Sequence, residues 1–336
     1  MDIAEIKKLV QESYGFQVID IEKIKNVYKI KTFDKCLCLK VIRYNFNHFF
    51  FIVSAIKHLQ NNGFERIPEI IKTMDNKEYI ELGKYYAYLT PWVNARICNY
   101  DNPLDLELAA SKLSELHKKS IGFEVDSRMQ PRIGWFKWID TFLTRRKEIL
   151  DFKACIQAKE QKTEFDTLYL DMMEEELFRA DMSVENLCNS NYLVKMEKEI
   201  LLKGFCHHDY AHHNVLVSDS GKVDIIDFDY CILDTHLHDL ASLLLRAMKH
   251  GKWDIDTAIY VMDAYSIIMP IDSLDIPIMA AFMEFPQDYW QVGIQYYLEK
   301  QPWEEDFFLK KLKKTCEDTE EKQEFIEEFR EYIYNG

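Results

Sequence analysis

Residues 205–229 read FCHHDYAHHNVLVSDSGKVDIIDFD. Histidines catch the eye first, at 207, 208, 212 and 213 beside Cys206. A closed zinc site would need several of these to converge tetrahedrally. No paired Cys/His spacing elsewhere supplies a second half. The turn SDSG at 218–221 offers a better reading, because it folds the flanking apolar runs into a hairpin. Pairing about its midpoint puts residue 214 opposite 225–227. Asn214 and Asp227 then lie side by side, and Asp209 sits on the loop entering the first strand. Two carboxylates and a carboxamide converge, an oxygen set that suits Mg2+ and the phosphates it carries. The remaining carboxylate, Asp209, can take a proton from an attacking hydroxyl.

Upstream, the pattern is β-rich. Residues 2–12 read as an amphipathic helix with Asp2 as N-cap and Gly15 as stop. The runs FQVIDIEKI, VYKIKTF and CLCLKVIRY follow with short connections, as in an antiparallel meander. Residues 47–62 read as a helix, and EYIELG and YYAYLTPWV as two more strands. After about residue 94 the chain turns helical, with helices expected at 104–119, 135–158 and 162–181 and almost throughout the remainder after the hairpin. The expected architecture is α+β: an antiparallel β lobe with one helix over 1–93, and a larger, mostly helical lobe over 94–336.

Bulk properties narrow the function classes. The 336 residues carry 42 Lys+Arg against 57 Asp+Glu, a formal net charge of −15. So acidic a chain is a poor general ligand for nucleic acid or an anionic membrane, and it favours a cationic small molecule. The start MDIAEIKKLV lacks the basic and apolar regions of a signal peptide. The run FFFIVSAI is too short to span a bilayer. The eight cysteines show no CxxC and no framework spacing, which reads as reduced core thiols.

His207, Asp209 and Asn214, followed by IDFD at 226–229, resemble the catalytic loop and metal-binding segment of the aminoglycoside phosphotransferase and choline kinase branch of the protein-kinase-like fold. The agreement of order and spacing makes the match specific. The resemblance implies Asp209 as catalytic base, Asn214 and Asp227 as Mg2+ ligands, and His207 as a brace of the loop. It implies ATP as phosphoryl donor, with Lys40 of CLCLKVI reaching the phosphates. Cys38 shares the face of Lys40 and should line the adenine site, where the Thr90 carbonyl and the Trp92 N–H are expected to meet the base. Asp239 is expected to support the catalytic loop. Asp229 is expected to support the site or hold a second metal.

Two departures stand out. IEKIKNVYKI has no glycine where a flexible phosphate-covering loop is expected, and NHFFFIVSAIKHLQ has no Asp or Glu to hold Lys40. The stretches DFDYCILDTHLHDLASLLLR, LTPWVNAR and EFPQDYWQVGIQYY resemble CotS-type spore coat proteins over nearly the whole chain. That resemblance implies a place in the spore coat or the cytoplasm of a spore-forming cell, with other coat proteins as candidate partners. Two functions remain open: phosphotransfer to a hydroxyl of a small molecule or coat component, or a non-catalytic coat protein keeping the fold. Glu284, Asp288 and Asp234 are candidates to line a cationic substrate's pocket or to form a solvated face. Tyr289/Trp290 and Tyr296/Tyr297 read as core.

Overall fold

A computed structural model describes residues 2–334. The chain forms two compact units, one of residues 1–132 and 203–233, the other of 133–202 and 234–336. This cut by packing differs from the expected lobe boundary near residue 93, because the next helix and the hairpin go with the N-terminal sheet.

The first unit opens with α1 (Ile3–Tyr14). Asp2 caps it by accepting from Ala4 N, and Gly15 ends it at φ 72°. Strands β1 (Asp20–Ile24), β2 (Val27–Lys31) and β3 (Cys36–Ile42) form a meander, followed by α2 (Phe46–Asn61). Strands β4 (Ile80–Leu82) and β5 (Tyr85–Pro91) complete an antiparallel sheet of order β1-β2-β3-β5-β4. Side chains alternate across β3. Leu37 and Leu39 are fully buried with Ile6, Val10 and Ile30, while Cys36, Cys38 and Lys40 face the other way. The turn between β1 and β2 is two residues, Lys25–Asn26, with Lys25 at φ 52°. A tight hairpin thus stands where a flexible loop is common.

A short strand that the sequence pattern did not reveal, β6 (Arg96–Ile97), precedes α3 (Pro103–Ser120). It pairs with β7 (Val215–Val217), which pairs with β8 (Val223–Ile225), so the expected hairpin is part of a three-stranded sheet. Two residues are too few to show a periodicity, and only pairing defines them.

The second unit is helical. It contains α4 (Trp138–Gln157), α5 (Glu164–Asn189), α6 (Tyr192–Leu202), α7 (Leu237–Met248), α8 (Ile255–Ser266), α9 (Ile276–Glu284), α10 (Gln287–Tyr297), α11 (Glu305–Cys316) and α12 (Thr319–Glu331). Among the described residues no helix is long and apolar enough to cross a membrane. One core packs Phe152, Phe165, Tyr169, Tyr289 and Tyr297 together. The rings of Tyr169 and Tyr289 stack at 4.1 Å, and the Tyr289 hydroxyl donates to the Tyr169 carbonyl at 2.6 Å. These aromatics are core, as their spacing suggests, although Trp290 and Tyr296 are only half-buried.

Gly293 makes the close approach of α10 possible. A Cβ there would lie 2.2 Å from the Tyr169 hydroxyl and 2.8 Å from the Phe152 ring. Overpacking of this kind costs about 1–3 kcal/mol. Gly293→Ala should therefore lower the melting temperature in a thermal scan; an unchanged value would show that the rings move aside freely.

Candidate active site

Strand β3, the hairpin and the segment after β8 all lie in the first unit. The hairpin register pairs Val215 with Ile225 and Val217 with Val223. Gly221, at φ 74°, closes the turn by donating to the Ser218 carbonyl at 2.9 Å. One step beyond the ladder, Ile226 N donates to the Asn214 carbonyl at 3.0 Å. The hairpin therefore sets Asn214 against the start of the Asp227 segment, within the expected range.

Asn214 begins this strand from a 3-10 turn over His212–Asn214. Its amide nitrogen donates to the Asp209 carbonyl at 2.9 Å and to Asp209 Oδ2 at 3.2 Å. Those bonds orient the Asp209 carboxylate and leave the carboxamide oxygen as the end suited to a hard cation. His207 is fully buried, with Nε2 3.0 Å from the Ile226 carbonyl and its ring 4.8 Å from that of Phe228. It ties the loop carrying Asp209 to the segment carrying Asp227. The loop histidines diverge: His207 is buried, whereas His212 and His213 are exposed.

Asp227 has φ 67° and ψ 68°, and His208 has φ 68°. Left-handed backbone at residues other than glycine is costly and persists only where the surroundings enforce it. Here both flank the candidate chemistry, and the strain at Asp227 turns its side chain out of the strand.

Lys40 is only 4% exposed. Its ammonium lies 2.9 Å from Asp227 Oδ2 and 3.0 Å from Asp229 Oδ2. Burial alone would lower its pKa, but the charges of Asp229 and Asp227 outweigh burial and raise it. Burial also pushes Asp227 upward; Lys40 reverses this and holds its carboxyl below the usual value. Burial and the Asp227 charge push Asp229 up to about 7. One Oδ1 on each of Asp227 and Asp229 is buried without a protein partner. A buried carboxylate oxygen rarely stays unpaired, so Asp227 Oδ1, with the Asn214 carboxamide oxygen, suits a divalent cation.

An apolar cavity of about 140 Å3 adjoins these charges. Cys38, Lys40, Ile56, Thr90, Trp92 and Phe228 are among the residues lining it, together with Pro91 and Val93. Burial pushes the Cys38 thiol up to about 11, so it is a neutral, apolar wall.

The expected backbone contacts of Thr90 and Trp92 do not fit the register. Trp92 N donates to the Cys36 carbonyl at 2.9 Å, and Thr90 pairs with Cys38. In an antiparallel ladder alternate residues point their backbone groups to opposite edges. Even-numbered residues of this stretch bond β3, and Leu89 accepts from Ile71 N on the other edge at 2.7 Å. The Pro91 carbonyl and the Val93 N–H consequently face away from β3. The period-two rule could have shown this once the pairing of Lys40 with Tyr88 was known.

Asp239 lies fully buried on α7, in the second unit, with His238 Nδ1 3.3 Å from its Oδ1. Of the acidic candidates in that unit, Glu284 is buried and spent on Arg330 at 2.7 Å and Asn186 at 2.8 Å. Asp234 is buried, accepts from Trp138 Nε1 at 2.9 Å and packs so closely on Gly134 that a Cβ there would have no room. Asp288 is exposed. Glu284 therefore reads as an ion-pair residue rather than a ligand for a cationic substrate.

The fold is shared with known phosphotransferases. An aminoglycoside phosphotransferase from Alicyclobacillus acidocaldarius subsp. acidocaldarius DSM 446 superposes with a TM-score of 0.83 at 21% identity, covering 96% of this chain and 95% of that one. Spectinomycin phosphotransferase APH(9)-Ia, solved with ADP and spectinomycin, gives 0.68 at 17% identity over 99% of both chains. Amicoumacin kinase hAmiN, solved in complex with AMP-PNP, Ca2+ and Ami, gives 0.62 at 14% identity, covering 98% of this chain and 94% of that one. The family model described as "Spore coat putative kinase YutH" matches residues 7–329, and the chain belongs to that family.

Proposed function

We propose that the protein transfers the γ-phosphoryl group of ATP, with Mg2+, to a hydroxyl of a small molecule or spore coat component. Two paired contacts, linked by the hairpin backbone, support this reading. Lys40 meets Asp227 beside an apolar cavity, and Asn214 orients Asp209 one hairpin register away.

The adenine ring fits the apolar cavity, with its hydrogen-bonding edge toward the Pro91 carbonyl and the Val93 N–H. Lys40 meets the phosphates. Asp227 and Asn214 would hold Mg2+, which when bound neutralises charge on the phosphate oxygens. Asp209 orients the acceptor hydroxyl and takes its proton as the new O–P bond forms and the β–γ bridging bond breaks, releasing ADP. His207 keeps this loop in register. The net charge of −15 favours a cationic acceptor, and the family description supports association with the spore coat.

A second reading, a coat protein that keeps the fold without turnover, is favoured by the glycine-free Lys25–Asn26 hairpin and by the absence of a carboxylate on α2. Direct measurement separates the two. ATP with Mg2+ should raise the melting temperature of the wild-type protein. At a hundredfold excess over Kd the stabilisation is about 2.7 kcal/mol. Asp227→Ala should remove the metal-dependent part of that shift; its persistence would refute the ligand assignment. Asp209→Asn should leave the fold and nucleotide shift intact. It should lower ADP release, scored against a panel of hydroxyl-bearing amines, by about a hundredfold or more. Turnover equal to wild type would sink the base assignment.

A further inference from the structure

A lysine that must meet phosphate needs a carboxylate to hold its flexible chain in place. Helix α2, FNHFFFIVSAIKHLQN, has neither Asp nor Glu. Its residue facing the cavity beside Lys40 is Ile56, which is buried and apolar. The carboxylates come instead from the segment after β8, where Asp227 and Asp229 both contact the ammonium.

These two partners are not equivalent. Asp227 is the assigned cation ligand, and a carboxylate shared with a divalent ion holds a neighbouring ammonium less well, because the two cations repel. Asp229 is two residues on, in the 3-10 turn Phe228–Tyr230, which is closed by Cys231 N donating to the Phe228 carbonyl at 3.0 Å. Its side chain is more deeply buried than that of Asp227, 13% exposed against 30%. Helix α2 packs on this turn, and its His48, anchored by Nδ1 to the Gln130 carbonyl at 2.9 Å, lies near the Asp229 backbone.

We propose that Asp229 is the positioning residue for Lys40, doing from the metal-binding segment what a carboxylate on α2 would otherwise do. The helix then supports the lysine at second hand, by fixing the turn that carries Asp229. This inference rests on the nucleotide-binding reading.

The test is a binding cycle by calorimetry with AMP-PNP and Mg2+, using wild type, Lys40→Ala, Asp229→Asn, the double variant, and Asp229→Asn combined with Ile56→Glu. Circular dichroism and melting temperature check folding. Asp229→Asn should weaken AMP-PNP by about tenfold, the scale of one lost charge-assisted hydrogen bond. The Mg2+ concentration for half-saturation should stay unchanged. Added to Lys40→Ala it should cost nothing more, because Asp229 acts through Lys40. Ile56→Glu should restore affinity to Asp229→Asn by returning a carboxylate to α2; if that variant does not fold, the cycle with Lys40→Ala decides. An unchanged affinity in Asp229→Asn, an additive loss on Lys40→Ala, or a raised Mg2+ requirement would overturn the proposal. If Lys40→Ala weakens binding and Asp229→Asn does not, the inference fails and the nucleotide reading stands. If the wild type binds no AMP-PNP, both fail.

Discussion

A lysine ammonium removed from water must find negative charge, and in this protein that requirement ties the sheet to the hairpin. Lys40 is buried on β3, and its partners Asp227 and Asp229 arrive from a segment 187 residues later. Removing one partner from a buried ion pair costs about 3–5 kcal/mol, because the remaining charge is stranded. The position of the Asp227 segment is thus an energetic demand of β3. The hairpin register, the His207 bridge to Ile226 and the Asn214 bond to Ile226 all serve the same placement.

Two of the nine left-handed non-glycine residues among the described ones lie at this point. His208 and Asp227 both take left-handed conformations, and each neighbours a group assigned to the chemistry. A relaxed strand would direct Asp227 along the period-two alternation of β8. The left-handed turn breaks that alternation, so that Asp227 and Asp229 reach one ammonium across the bulky, buried Phe228. The electrostatics follow: one lysine faces two acids, one held low and the other pushed up to about 7. A cluster with spare carboxylate oxygens and one lysine suits a site that must accept further positive charge.

The two departures from the familiar pattern look different in three dimensions. The glycine-free loop is a two-residue hairpin whose following residue, Val27, lines the cavity. The helix without a carboxylate places Ile56 in the cavity wall, while Asp229 meets Lys40 from the segment after β8. The hairpin still borders the cavity, and the carboxylates that meet Lys40 come from the segment after β8.

Much of this was legible from order and spacing. Periodicity marked the strands through β5 and the main helices, and one turn sufficed to pair Asn214 with the Asp227 segment, since a hairpin's register follows from its own residues. The alternation along β3 put Cys38 and Lys40 on one face. What stayed hidden depended on neighbours distant in the chain. The strand β6 exists only because β7 lies beside it. The edge to which Thr90 and Trp92 point their backbone groups depends on which strand takes them, and β3 takes both. Side-chain type and local period are properties of the sequence itself, so it determined the fold class and the residues able to do chemistry. Burial and pairing through space belong to the tertiary structure, and only there was it decided that Lys40 is held by Asp227 and Asp229, and that Glu284 is spent on Arg330.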